Sequence, residues 1–276
     1  MWLSSVLGPQ GRFRVASFAS ALAWGLHIRR RVVVDNLANA FPGLDGEARR
    51  SMALGAYRNM VLTVLESILP VSDPCKSPDT LIVDDWKGLD RLVADGKPAL
   101  LAAGHFGNWE RLGEVLAVRG FKLNVVVRPL KGALNDRIVQ ARYEVGAKLI
   151  DQRGALKGML GVMKRGEVVY QLIDQSLPAD QGVFVPFFGR PTCTTPSVSL
   201  VALRTGAPVY VIGGAREGER LRVFIEGPVA ISTTGDRDAD VKAHTAELTR
   251  LLEGMIRRYP DQWLWLHRRW KVQPLT

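Results

Sequence analysis

The sequence predicts an α/β fold, a central sheet flanked by helices and preceded by a helical N-terminal segment. Three observations carry that expectation. From Leu81 onward, short β-rich runs alternate with helix-length stretches. Two of the runs, "ALLAA" at 99–103 and "PVYVIG" at 208–213, are nearly continuously apolar, as strands buried on both faces are. The first seventy residues instead read as a helical preamble.

In "RVASFASALAWGLHIRRR" the uncharged stretch between Arg14 and His27 is 12 residues, whereas a spanning helix needs about 20 apolar residues. The run Val15 to Phe18 is also shorter than a signal-peptide core of about 7 residues, so neither a membrane span nor secretion is expected. Trp2, Phe13, Phe18 and Trp24, with Arg12, Arg14 and Arg29 to Arg31, suit a helix lying in a membrane interface. A helix packed on the domain with a solvated basic end is the other reading. A second helix is expected over 45–69, with Met52, Tyr57, Met60, Val61, Val64, Leu65 and Ile68 at helical spacing. "LPVSDPCKSPDT" reads as a loop because three prolines fall within nine residues. This divides the chain into a helical, membrane-interface segment at 1–70 and an α/β domain at 71–276. In that domain the strands are expected at 81–83, 99–103, 123–127, 148–150, 167–173, 183–187, 208–213 and 221–226. Helices are expected at 109–119, 133–146, 154–165, 196–205 and 238–258.

Of the 276 residues, 47% are hydrophobic, enough to fill a sizeable core. A net charge of +10 favours an acidic partner: nucleic acid, an anionic membrane surface or an acidic carrier protein. Nucleic acid is disfavoured, since the lysines and arginines are dispersed and no recognition motif is visible. The two cysteines, Cys75 and Cys193, have no metal-ligand spacing and fit a reducing compartment. No Gly-rich phosphate loop, dinucleotide fingerprint or HExxH sequence occurs. Chemistry by side chains alone, with neither cofactor nor metal, is therefore expected.

The stretch that suggests chemistry is "AAGHFGNWERLG" at 102–113. Residues five apart on one helix point about 140° apart, so His105 and Glu110 cannot meet on a single helix. They can meet if His105 ends a strand and Glu110 begins the next helix, with Gly104 and Gly107 making the turn and Asn108 as N-cap. A carboxylate on one imidazole nitrogen fixes the tautomer and makes the other nitrogen a general base. The alternative is a satisfied loop histidine beside a first-turn acid favoured by the helix dipole.

"GHFGNWE" resembles the H-x4-D/E motif of the lysophospholipid acyltransferase superfamily, and its context resembles the lipid A biosynthesis late acyltransferases of bacteria. "NLANAFPG" at 36–43, "VVVRPLKGALND" at 125–136, "LIDQ" at 172–175, "GVFVPFFGRPTCTT" at 182–195 and "YPDQWLWLHRRWK" at 259–271 agree in the same order. The resemblance implies a mixed central sheet of the glycerol-3-phosphate acyltransferase-like kind. It implies that His105 deprotonates a lipid-linked hydroxyl, that Glu110 orients it, and that the hydroxyl attacks an acyl thioester without a covalent enzyme intermediate. The implied donor is acyl-acyl carrier protein or acyl-CoA. The implied acceptor is a lipid A precursor or related glycolipid on the cytoplasmic face of the inner membrane. Arg128 would bind phosphate through paired donors and Lys131 would assist as a point charge. Asp174 and Gln175 would position the acceptor, and Asn108, inside the histidine block, joins them as a substrate-binding candidate. Turn N–H groups around Gly107, or Arg128, would stabilise the oxyanion. "FVPFFG" and Thr192 to Thr195 would line the acyl channel unless Phe184, Phe187 and Phe188 are ordinary core. Cys193 reads as structural, and Arg268, Arg269 and Lys271 would touch anionic headgroups. Two other functions fit the same residues: the same chemistry on a phosphatidylinositol mannoside or aminolipid, or a non-catalytic basic protein at a membrane surface.

Overall fold

A computed structural model of the chain describes residues 8–68, 80–129 and 131–274. Trp2, the 69–79 part of the proline-rich loop with Cys75, and Leu130 lie outside them. Three helices come first, α1 (Pro9–Gly25), α2 (Arg30–Ala40) and α3 (Gly46–Ile68). The alternating part follows as β1 (Leu81–Val83), α4 (Leu89–Ala94), β2 (Ala99–Ala103), α5 (Trp109–Val118), β3 (Leu123–Val127), α6 (Ala133–Glu144), β4 (Lys148–Asp151), α7 (Ala155–Lys164) and β5 (Val168–Leu172). A hairpin of β6 (Val183–Phe187) and β7 (Arg190–Thr194) precedes α8 (Ser197–Thr205), β8 (Val209–Glu217), β9 (Arg220–Glu226) and α9 (Arg237–Arg258).

The central sheet has the order β1-β9-β8-β2-β5-β3-β4. It is mixed, because β8 and β9 pair antiparallel while the other neighbours run parallel. Its core is split between the two faces by strand alternation. Leu100 and Ala102 of β2 face a cluster built with α7, α8 and α9, while Ala99, Leu101 and Ala103 face Leu112, Val115 and Leu116 of α5. All five residues of β2 are buried, as an apolar run in the middle of a parallel sheet requires.

Val33, Leu37, Ala53, Ala56 and Tyr57 of the first helices belong to the same core as Leu100 and Phe106. Trp24 departs from the interface expectation: it is buried, edge-on to Tyr57, with the Arg30 guanidinium 4.3 Å above its ring. Phe13, Phe18, Leu22 and Leu26 stay exposed, Phe18 by 73%. Among the described residues no helix is long and apolar enough to cross a membrane.

Several features depart from the expected elements, the short helix α4 among them. The α2 helix stands apart from α1 because Arg29 takes a left-handed conformation, φ 52°. β7 is polar in sequence and is held as a strand by its pairing with β6, Thr192 opposite Val185. β8 runs on to Glu217 because the β8–β9 hairpin continues there.

Register places the site. In the parallel β2–β5 pair, Ala103 lies opposite Leu172, and the N–H of Ile173 donates to Ala103 O at 2.8 Å. Two residues beyond each strand stand His105 and Asp174. β2, β5, β3 and β4 run parallel, so their carboxyl ends open on one edge of the sheet, where open α/β folds bind ligands.

Candidate active site

The turn after β2 is built around glycine. Gly107 has φ +59°, and a Cβ there would fall 1.8 Å from Gly214 O, so a side chain is excluded sterically. At Gly104 a Cβ would sit 3.0 Å from Asp174 Oδ2. Asn59 Nδ2 and Thr63 Oγ1 both donate to Gly107 O, at 2.8 and 3.2 Å, which fastens the turn to α3. The N–H groups of Gly107 and Asn108 donate to Gln262 O and Gly214 O, each at 2.8 Å. These two N–H groups are thus committed and are not available as oxyanion donors.

His105 Nδ1 lies 2.8 Å from Asp174 Oδ1. The other carboxylate oxygen, Oδ2, accepts from the His105 backbone N–H at 2.6 Å and from Trp263 Nε1 at 2.8 Å. Asp174 is 3% exposed. Burial works to raise its carboxyl, but the His105 charge, the hydrogen bonds from His105 and Trp263 and the His105 backbone N–H hold it down to about 2. An ionised Asp174 at neutral pH keeps the imidazole proton on Nδ1 and leaves Nε2 free to accept one. Gln175 Nε2 is 3.3 Å from that Nε2.

The carboxylate that holds His105 is therefore Asp174, and the expectation for Glu110 is corrected. Glu110 sits in the first turn of α5 and accepts from Arg142 Nε and Nη2 of α6, at 2.9 and 2.6 Å, and from Trp109 Nε1 at 3.0 Å. A fork-on-carboxylate pair with a guanidinium outcompetes a single imidazole N–H for its oxygens. Asn108 is likewise corrected as a substrate contact. It is buried, its Oδ1 caps α5 by accepting from Arg111 N at 3.0 Å, and its Nδ2 donates to Glu66 Oε2 at 2.6 Å.

Of these groups, His105, Glu110, Arg142 and Gln175 front one cleft of about 1840 Å³. Arg128, from the end of β3, lines it with Arg153, Arg268 and Lys271; Lys131 is exposed and is not among the lining residues. Arg29, Arg30 and Arg31 border the same space, and Glu110 and Glu114 are the acids there. Beneath α6 the wall becomes apolar, with Gly113, Leu123, Val125, Ile138, Val145 and Tyr170. Burial, reinforced by Glu110, raises the Tyr170 hydroxyl well above its usual range, so this wall carries no phenolate. The cleft thus joins a cationic mouth to an apolar recess, with the His105 ring on its wall.

Phe184, Phe187 and Phe188 do not line the cleft. Phe187 and Phe188 are core, packed against Trp263, Trp265 and Trp270, while Thr195 does reach the cleft wall. Cys193 is buried with Sγ 3.4 Å from Pro178 O, and burial raises its thiol, so no thiolate is poised there. Arg269 overturns the headgroup expectation: it is 1% exposed, donating to Cys193 O at 2.9 Å and Thr194 Oγ1 at 2.6 Å. Burial lowers its guanidinium to about 10. Sequence reasoning missed Arg142, Trp263 and His267, and the aligned block "WLWLHRRWK" was the signal for the latter two. Among the described residues no group of His, Cys, Asp and Glu is arranged to hold a metal ion.

The profile of the bacterial lipid A biosynthesis acyltransferases matches residues 1–272. The chain is 25% identical to the lipid A biosynthesis palmitoleoyltransferase of Escherichia coli strain K12 over 254 residues, 90% of this chain and 80% of that one. It is also 25% identical to the lipid A biosynthesis lauroyltransferase of the same organism, covering 99% of this chain and 90% of that one. A phosphatidylinositol mannoside acyltransferase of Mycobacterium tuberculosis is 29% identical over 66% of this chain and 57% of its own.

Proposed function

The chain belongs to the bacterial lipid A biosynthesis acyltransferases and is an acyltransferase, and from that premise we propose that it moves a fatty acyl chain from a thioester to a hydroxyl of a lipid A precursor or related glycolipid, with His105 as general base. The observation that carries this reading is the His105–Asp174 pair, 2.8 Å apart, with Asp174 buried behind His105 and His105 on the wall of a cleft that is cationic at its mouth and apolar within. Nε2 takes the proton of the acceptor hydroxyl as that oxygen attacks the thioester carbonyl carbon. A tetrahedral oxyanion forms and collapses, the C–S bond breaks, and the leaving thiolate takes the proton from Nε2. Asp174 steadies the imidazolium between those two transfers. No enzyme atom is acylated.

Arg128 holds a phosphate of the acceptor or of the carrier, and Gln175 hydrogen-bonds the hydroxyl beside Nε2. Glu110 acts on the cleft wall by securing α6 through Arg142. The donor is acyl-acyl carrier protein or acyl-CoA. The exposed Phe13, Phe18, Leu22 and Leu26 of α1, with the arginines that follow, rest on the anionic cytoplasmic face of the inner membrane.

The test is transfer by purified protein. Acyl-acyl carrier protein and acyl-CoA are each offered with a lipid A precursor or a phosphatidylinositol mannoside. Ester formation on the lipid A precursor, reduced in folded His105→Ala by about 10³-fold or more, is the expected result. Equal transfer by His105→Ala overturns the assignment of the base, and esterification of the mannoside alone overturns the acceptor.

A further inference from the structure

His267 borders the same cleft as His105 and has no part in the chemistry above. Its Nε2 lies 3.0 Å from the backbone nitrogen of Ser176. A backbone N–H can only donate, so Nε2 is the acceptor and the single proton of the neutral ring is on Nδ1. Nδ1 has no protein acceptor among the described residues, and it is not one of the buried atoms lacking a partner, so it is open to the cleft.

The ring is held in register with the catalytic pair from two sides. Ser176 follows Asp174 and Gln175 directly. On the other side, the Leu264 N–H donates to His105 O at 3.0 Å, the His267 N–H donates to Leu264 O at 3.2 Å, and Asn36 Nδ2 donates to His267 O at 2.6 Å. Burial pushes the His267 imidazole down to about 4 against the pull of Asp174, and Arg269, His105 and Arg29 oppose its charging as well. The donor therefore stays neutral at working pH.

We propose that His267 is a catalytic residue whose Nδ1–H donates to the acyl carbonyl oxygen as negative charge develops on it. This rests on the transfer reading above. The turn N–H groups of Gly107 and Asn108 do not supply this donor, because they are already bonded to Gln262 O and Gly214 O. As the acceptor oxygen attacks, the carbonyl π pair moves to oxygen, the Nδ1–H hydrogen bond shortens, and the pair returns when the C–S bond breaks. The proton stays on Nδ1 throughout. A fixed neutral donor of this kind stabilises the oxyanion without reorganising during the reaction.

Three substitutions in the full chain separate this role from a structural one. The side-chain amide of Asn reaches the Nδ1 position, whereas Gln reaches Nε2 and its Oε1 keeps the bond to the Ser176 N–H. His267→Ala and His267→Gln are expected to lower kcat by about 10²–10³-fold. KM should stay within about threefold. His267→Asn should remain within about tenfold of wild type. Rescue by Gln and not by Asn, or an unchanged kcat in His267→Ala, overturns the proposal. The transfer reading fails on a different result, equal activity in His105→Ala. Imidazole ¹⁵N shifts supply a readout that needs no turnover: a neutral Nδ1–H tautomer for His267 at pH 7 is expected, and an Nε2–H tautomer or an imidazolium overturns the assignment.

Discussion

Replacing Asp174 by Asn isolates the orienting carboxylate with little change of shape. Asp174 accepts three hydrogen bonds, one at Oδ1 from His105 Nδ1 and two at Oδ2 from the His105 backbone N–H and Trp263 Nε1. An amide has one acceptor oxygen. Turned to keep the two donors at the Oδ2 position, it presents its NH₂ to His105 Nδ1, which must then give up its proton to Nε2. The imidazole keeps its place and loses its base. Tautomer loss of this kind costs about 10⁴-fold in kcat, or about 5 kcal/mol of transition-state stabilisation. Because two of three bonds persist, the folded state loses only about 1–2 kcal/mol. Glu110→Gln instead weakens the α6 contact through Arg142 and is expected to reduce kcat by about tenfold or less, an indirect effect of loosening one wall. The assay is steady-state transfer from an acyl carrier thioester to a glycolipid acceptor, with thermal unfolding of each variant alongside. Asp174→Asn at wild-type rate, with Glu110→Gln inactive, would refute the reasoning.

Three further outcomes are expected. A Cβ at Gly113 would meet Leu123 and Tyr170 at 3.8 and 3.9 Å, ordinary contacts, so Gly113→Ala should fold normally. The longer side chain of Gly113→Leu fills the apolar recess, and products made from mixed acyl donors should shift to shorter chains by mass spectrometry; an unchanged distribution places the acyl chain elsewhere. Acid should destabilise the protein in two windows, because the unfolded chain binds protons that the native state refuses. His267, lowered from 6.5 to about 4, acts as pH falls through that range, and Asp174, lowered from 3.8 to about 2, acts below it. The urea midpoint should therefore drop between pH 6.5 and 4, and His267→Gln should flatten that part of the curve; equal slopes in the two proteins would contradict the assignment. Phe18→Asp with Leu22→Asp should lower cosedimentation with vesicles containing anionic lipid, since both side chains are exposed on α1; unchanged binding would remove α1 from the membrane contact.

The sheet was legible because its strands are apolar runs bounded by turn residues, and 99–103, 123–127 and 183–187 coincide with β2, β3 and β6. The cap at Asn108 and the position of Glu110 on α5 were also readable, since both follow from local chemistry. The partner of His105 was not. Asp174 is 69 residues away, and only the pairing of β2 with β5 in a particular register brings it alongside. Spacing along the chain pointed to Glu110, the nearer carboxylate, whose competing partner Arg142 lies 32 residues further on a different helix. His267 and Trp263 were hidden in the same way, reaching the site through a bridge between Phe106 and Trp263 that no local pattern encodes. Arg269 misled by charge alone: a guanidinium in a basic stretch reads as a headgroup contact, and its burial against Cys193 O and Thr194 depends on the polar β7, which sequence did not announce.

The measurement that bears most directly on the account is the imidazole ¹⁵N and N–H proton spectrum of His105 at neutral pH. A protonated Nδ1 with a downfield proton, present in wild type and Glu110→Gln and absent in Asp174→Asn, is the result the structure calls for. A signal that survives Asp174→Asn and disappears in Glu110→Gln would return the orienting role to Glu110 and contradict the site described above.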